Sequence, residues 1–378
     1  MKVAVTTLAF CVAALLALGL VMLYSSMMTL PTGGRDLMMQ SLWCAIGLGC
    51  CVTATALDYR LLKKLAWPIY LLALGGLALV FAPHIGHASH GAHRWIGLGP
   101  VTVQPSELGK LALIIIVAWL GDRFQRQMQT FRRGVLLPGA FAAPIVLLVF
   151  VEPDRGTTIL LGAVAAAMLL VAGARWKHLF APAVAGAAAF TAAILRDPLR
   201  MNRIFAWLHP QQHLDGAALQ AQQAMIGLGS GGWLGVGLGN GMRKFGYLPE
   251  IHTDFIFANI GEELGLLGTL LVVAAFAIVA LCGIVIALNA GDAFGLLLAS
   301  GITFLISLQA TINIGVVTSA LPNKGISLPF ISYGGSNLVA MLTGVGLLFS
   351  VARRAPARET VAEAAAEAGD NPFAARSA

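Results

Sequence analysis

Residues Thr6–Met28 read TTLAFCVAALLALGLVMLYSSMM, with no charged side chain among them. A bilayer core needs roughly 20 apolar residues at a rise of about 1.5 Å each, and this run supplies them. It is longer than the apolar core of a secretory signal, and no small-x-small cleavage site follows. It therefore reads as an uncleaved first membrane span. Comparable runs recur at about 41–57, 65–82, 107–121, 135–151, 157–173, 178–195, 263–289, 294–319 and 334–352. The expected fold is an all-α integral membrane protein of about ten transmembrane helices. A large extracytoplasmic loop, 195–262, lies between spans seven and eight. The membrane domain takes in residues 1–354, and 355–378 form an Ala-rich cytoplasmic tail with no apolar period, expected to be flexible.

Composition agrees. Of 378 residues, 58% are hydrophobic and only 11% charged, and mean hydropathy is +0.82. A soluble domain would carry roughly twice that charged fraction. The net charge of +7 does not point to nucleic acid, because no basic run is interleaved with base-stacking aromatics. It follows instead from short loops. Arg60, Lys63 and Lys64, then Arg123, Arg126, Arg132 and Arg133, then Arg175 and Lys177, and finally Arg353, Arg354 and Arg358 share one side. The short loops of the other side hold Arg35, Arg94, Arg155 and Lys324. That asymmetry places both termini in the cytoplasm. The five cysteines fall inside spans, where Cys is a small apolar filler.

Polar groups at membrane depth are costly and each needs a reason. Glu107 and Lys110 open span four at i and i+3, on one helix face. They are either a structural ion pair or part of a charged patch lining an outer cavity. Glu152-Pro153-Asp154-Arg155-Gly156-Thr157 joins spans five and six, and Asp154 there is a cap or a functional acid. His84, His87, His90 and His93 recur every three residues in the second outer loop. Such spacing can bind a metal, but no acid or Cys accompanies it, and incidental composition is the stronger reading. The glycine run Gly229–Gly241 contains GxGxxG-like spacings without a βαβ context. It reads as a close-packed re-entrant or interfacial turn.

The densest chemical stretch is Tyr247–Gly265. Asp254 lies there against an aromatic, apolar run, where desolvation makes a carboxylate a better base. His252 and Glu250 are near enough in sequence to tune it, and the bland alternative is a solvated or capping acid. The last outer loop, Leu321–Asn337, suggests a shaped pocket wall in which Lys324 could attract a phosphate.

These motifs together resemble the SEDS family of bacterial shape and division proteins. Arg94-Trp95-Ile96, Gln104-Pro105-Ser106-Glu107-Leu108-Gly109-Lys110, Pro153-Asp154-Arg155-Gly156-Thr157, Leu248–Ala258 and Leu328–Ser336 carry the likeness in order along nearly the whole chain. Gly261-Glu262-Glu263 and Asn323-Lys324-Gly325-Ile326-Ser327 look closer to the division type, FtsW, than to the elongation type, RodA. Asn323, Asn337 and Arg155 depart from the usual pattern. The resemblance implies a peptidoglycan glycosyltransferase polymerising lipid II, with Asp254 as the essential acid and an inverting displacement of undecaprenyl pyrophosphate. Substrate contacts are expected from Glu107, Lys110, Asp154, Arg94, His252, Thr253, Lys324, Ser332, Gly334, Gly335 and Ser336. A class B penicillin-binding protein transpeptidase and a divisome activating complex are the implied partners. A divalent cation, magnesium or manganese, is a candidate cofactor that the residues do not specify. The competing readings are a lipid II flippase, a scaffold that recruits the transpeptidase, and an elongation-type polymerase.

Overall fold

The computed structural model describes residues 1–27, 33–82, 86–89, 92–98, 101–209, 217–245 and 251–355. Among these, the membrane-length helices are α1 (Lys2–Met27), α2 (Gly33–Ala56), α3 (Leu61–Leu79), α4 (Pro105–Arg123), α5 (Leu137–Val151), α6 (Arg155–Val171) and α7 (Trp176–Leu195). Two shorter helices, α8 (Pro198–Leu208) and α9 (Ala217–Ser230), lie in the long loop. They are followed by α10 (Ile256–Leu288), α11 (Ala293–Val317) and α12 (Gly335–Arg353). Eight of the described helices are long and apolar enough to cross a membrane, α5 among them together with the π-helical turn Arg132–Leu136 that leads into it. α4, which carries Glu107 and Lys110, and the shorter α6 complete the ten expected spans. At 17 residues, α6 is about 25 Å long, close to a bilayer core. The chain is a multi-pass membrane protein.

Two expectations need adjusting. The loop between spans seven and eight ends earlier than read from hydropathy, because α10 begins at Ile256 and not near residue 263. The all-α reading also missed a small antiparallel sheet between α3 and α4, in the order β1 (Gly86–Ser89), β2 (Ala92–Leu98), β3 (Val101–Val103). Its register pairs Ile96 with both Gly86 and Val103. Strands of three to seven residues are too short to register on a membrane-length hydropathy window. His87 and His93 fall on β1 and β2, whereas His84 and His90, like Glu250, lie outside the described residues, as does the tail from 356.

Burial follows solvent preference. α4 has the charges that hydrocarbon tolerates least, and it is the central helix, packed by α3, α5, α6 and α11. α7 is Ala-rich and uncharged between its basic start and Leu195, and it buries no residue. α12 packs on α2, and α10 packs on α1 and α11. Gly335 permits the α2 contact, since a methyl there would fall 2.3 Å from the Trp43 indole. The end of the bundle remote from the long loop is tied by charge. Lys63 meets Asp122 at 3.0 Å and Asp292 at 3.3 Å, and Arg354 meets Asp58 at 3.4 Å. Burial pushes the Asp292 carboxyl up, but the Gly295 N–H that it caps and the Lys63 ammonium outweigh this and hold it below its ordinary range.

Candidate functional site

Asp254 sits in a turn, residues 251–255, immediately before α10 and is partly exposed. Its surroundings come from two directions. The Asn313 amide on α11 donates to the Asp254 carbonyl at 2.8 Å and to the Ile326 carbonyl at 2.6 Å. The Ser332 hydroxyl donates to the Thr253 carbonyl at 2.5 Å and accepts from the Leu328 N–H at 2.8 Å. The Tyr333 N–H donates to the His252 carbonyl, and the two rings meet edge to face at 6.0 Å. The turn and the loop before α12 are thus one hydrogen-bonded unit. The carboxylate rests against Gly325, where an added methyl would lie 2.8 Å from Asp254 Oδ2. Lys324 is on the same loop, its ammonium 5.6 Å from the Phe190 ring of α7. Burial lowers the pKa of that ammonium from the ordinary lysine value.

A second cluster lies inside the bundle. Lys110 pairs with Glu107 at 2.8 Å, and both side chains are buried. Lys110 also donates to Gln309 Oε1 at 3.0 Å. Gln309 in turn donates to the Ser327 carbonyl at 2.9 Å and to Asn337 Oδ1 at 3.2 Å. Asn337 closes the circuit by donating to Ser327 Oγ at 2.6 Å. Every charge and amide here has a partner, as a low-dielectric interior requires.

The third cluster is the turn between α5 and α6. Asp154 caps α6, accepting from the Thr157 N–H at 3.0 Å and the Thr157 hydroxyl at 2.9 Å, so the cap reading describes its geometry. Arg94, on β2, donates to the carbonyls of Glu152 and Pro153 at 3.1 and 2.7 Å. Its charge is therefore fixed at this turn without a carboxylate bond in those contacts. Glu152 is fully buried, and neither carboxyl oxygen has a hydrogen-bond partner among the described residues. Burial, reinforced by Asp154 and eased by Arg94, pushes its pKa up to about 8. The turn joins the rest of the site at Gly156, where a methyl would fall 2.7 Å from Ile326.

The glycine run does bring backbone onto backbone. Methyls at Gly231 and Gly235 would lie 1.9 Å and 2.1 Å from the carbonyls of Gly261 and Glu263. α10 breaks at Gly265, which has φ +68°. The run repairs the lost helical hydrogen bonds, as irregular backbone in a membrane must. Leu266 and Leu267 donate to Gly232 and Trp233, while Val236 and Gly237 donate to Glu262 and Glu263. Glu263, fully buried, accepts from Ser25 at 2.6 Å, from the Gly239 N–H at 3.0 Å and from Lys244 at 3.2 Å.

Of the expected site residues, Asp254, His252, Thr253, Ser332 and Lys324 gather around the turn and the last loop. Glu107 and Lys110 reach that loop through Gln309. Arg94 joins Asp154. Ser336 accepts from the Gln104 N–H, and Gly334 donates to Gln40, so these two, with Gly335, are seen fastening the start of α12. Gln309 and Asn313 went unread, although two amides one turn apart inside an apolar span carry the same signal as a buried charge.

The family model described as "Cell cycle protein", FtsW/RodA/SpoVE, matches residues 6–356. A probable peptidoglycan glycosyltransferase FtsW of Geobacter metallireducens is 39% identical over 346 residues, covering 90% of this chain and 92% of that one. Stage V sporulation protein E of Bacillus subtilis is 37% identical over 344 residues, 90% and 94% of the two chains. Among solved structures, a chain from a peptidoglycan synthase complex superposes with a TM-score of 0.78 at 30% identity, covering 92% of this chain and 96% of that one. The rod shape determining protein RodA of Thermus thermophilus gives 0.69 at 29%, covering 93% and 97%. A likeness that runs through the motifs, the ten spans and the long loop alike has one explanation: this chain belongs to the FtsW/RodA/SpoVE family, the SEDS proteins.

Proposed function

We propose that the protein is a peptidoglycan glycosyltransferase that polymerises lipid II, with Asp254 as general base. The observation that carries this is the placing of Asp254: a partly exposed carboxylate on a turn clamped by Asn313 and Ser332. The relatives named as peptidoglycan glycosyltransferases support the reaction class. Asp254 takes the proton from the acceptor sugar's 4-hydroxyl as that oxygen attacks the donor's anomeric carbon. The bond to undecaprenyl pyrophosphate breaks from the opposite face, so the centre inverts. The leaving pyrophosphate needs positive charge. Lys110 is engaged with Glu107 inside the bundle, which leaves Lys324 at the rim and Arg94 at the α5–α6 turn for that task. His252, Thr253, Ser332, Gly334, Gly335 and Ser336 shape the wall around it. Among the described residues no group of three or more His, Cys, Asp or Glu side chains is placed to hold a metal ion. A magnesium or manganese ion would take oxygen ligands such as those of a pyrophosphate, and no step here runs through it.

The basic loops Arg60–Lys64, Arg123–Arg133, Arg175–Lys177 and Arg353–Arg354 share the end of the bundle remote from Asp254. The positive-inside rule puts that end, with both termini, in the cytoplasm of a bacterium and Asp254 on the outer face of its inner membrane. The superposition on a synthase complex supports a class B penicillin-binding protein as partner, and the FtsW-named relatives support work in division, under a divisome activator. The test is polymerisation of labelled lipid II by the purified protein with its transpeptidase. Glycan polymer is expected, and Asp254→Asn should abolish it without unfolding the protein. Polymer from that variant at the normal rate would remove Asp254 as base. Lipid II translocation with no polymer would show a flippase, and neither activity with intact partner binding a scaffold.

A further inference from the structure

α11 carries two amides at i and i+4, Gln309 and Asn313, each 1% exposed. Residues four apart share one helix face, and both side chains grip the same strip of the last loop. Gln309 donates to the Ser327 carbonyl at 2.9 Å, and Asn313 donates to the neighbouring Ile326 carbonyl at 2.6 Å. Beyond the strip they diverge. Gln309 reaches back to Lys110 at 3.0 Å, and Asn313 reaches forward to the Asp254 carbonyl at 2.8 Å. The Asn313 nitrogen must face this way, because two carbonyls can be met only by its donor side. The same loop also meets the other end of the acid. Gly325, beside the gripped strip, lies against the Asp254 carboxylate, and a methyl there would sit 2.8 Å from Oδ2, so the carboxylate would have to move.

We propose that Asn313 is a positioning residue for Asp254. It holds the acid's backbone in register with loop 325–327, so that the carboxylate rests against Gly325, while Gln309 anchors the same strip to the Glu107–Lys110 pair. This rests on the reading of Asp254 as general base. Asn313 touches no substrate in this role and acts only through the placing of another group. A shift of about 1 Å at a reacting group can cost about 100-fold in rate, and tight placing of a base depends on such supporting hydrogen bonds.

The test uses the full chain with its transpeptidase partner and a titration of lipid II. Asn313→Asp keeps the shape of the side chain but loses the two-hydrogen donor: buried against two carbonyls it keeps its proton and can donate to only one of them. Its kcat is expected to fall about 10- to 100-fold, with KM for lipid II within about twofold. Gly325→Ala leaves α11 untouched and pushes the carboxylate directly, so the same split is expected there. A normal kcat in Gly325→Ala, or in a folded Asn313→Asp, overturns the proposal. So does a raised KM at unchanged kcat, which would mean substrate binding instead of positioning. If Asn313→Asp does not fold, Asn313→Ala, which removes both donations, takes its place with the same fall in kcat expected, and a normal kcat there overturns the proposal. Asp254→Asn is run beside them. Activity in that variant removes the base itself, whereas its inactivity with normal kcat in the other two removes only the positioning role.

Discussion

Glu152 sits in an environment far from what its charge demands. An ionised carboxylate with no exposed surface and no hydrogen-bond donor is expensive, so the group keeps its proton instead. Its ordinary pKa of 4.5 rises to about 8 in the fold. The sign of the linkage follows. Between those two values the unfolded chain releases the proton while the native chain retains it, so stability falls as pH rises across that window. At pH 7 the cost is on the order of 3 kcal/mol, at about 1.4 kcal/mol per pH unit. Glu152→Gln removes the titration and keeps the shape. Its thermal midpoint in detergent should exceed that of the unaltered protein at pH 7.5 and nearly equal it at pH 5. A gap of the same size at both values would show that the side chain does not titrate in this range. Asp154, two residues on, shows the opposite solution: both its oxygens are held by Thr157.

α10 shows how an element is shaped by a neighbour distant in its own rules. Taken alone, Ile256–Leu288 is a long apolar helix. Its break at Gly265 exists because the glycine run inserts carbonyls and N–H groups where the helix would have bonded to itself. Gly265→Ala places a methyl 2.3 Å from the Gly235 nitrogen in a left-handed conformation. The loss expected is about 2 kcal/mol or more, read as a lower thermal midpoint with the partner still bound at low temperature. Lys244→Met leaves the buried Glu263 without its cation and should cost about 3–5 kcal/mol. Adding Glu263→Gln to that variant should recover part of the loss. No recovery would show that the Lys244 stem, and not its charge, holds the run in place.

Across the whole molecule, burial is graded from α4 outward, because lipid and protein interior compete for the same apolar side chains. Hydrophobicity does not decide between them, so charge and shape do. Ala118→Leu on α4, at 0% exposure, overfills a packed centre and should cost about 1–3 kcal/mol. Ala185→Leu on α7, which buries nothing, should stay within about 0.5 kcal/mol. Comparable losses at both positions, measured as thermal midpoints of the purified variants, would mean that α7 is packed against the bundle or against a partner in the working protein.

What the amino-acid sequence determined by itself is the set of spans and the motifs between them. A membrane helix is written in consecutive residues, since each must satisfy its own backbone in hydrocarbon. The closeness of Glu107 to Lys110 was legible for the same reason: their partnership is local. So was the crowding of the glycine run, because only Gly tolerates such backbone approach. Tertiary structure alone decided which polar groups meet. Asn313 lies 59 residues from Asp254, and Gln309 lies 199 from Lys110. No periodicity encodes a hydrogen bond across such separations. That no described residue donates to the Glu152 carboxyl was equally hidden, since a missing hydrogen bond is a property of everything around a side chain and not of its place in the chain.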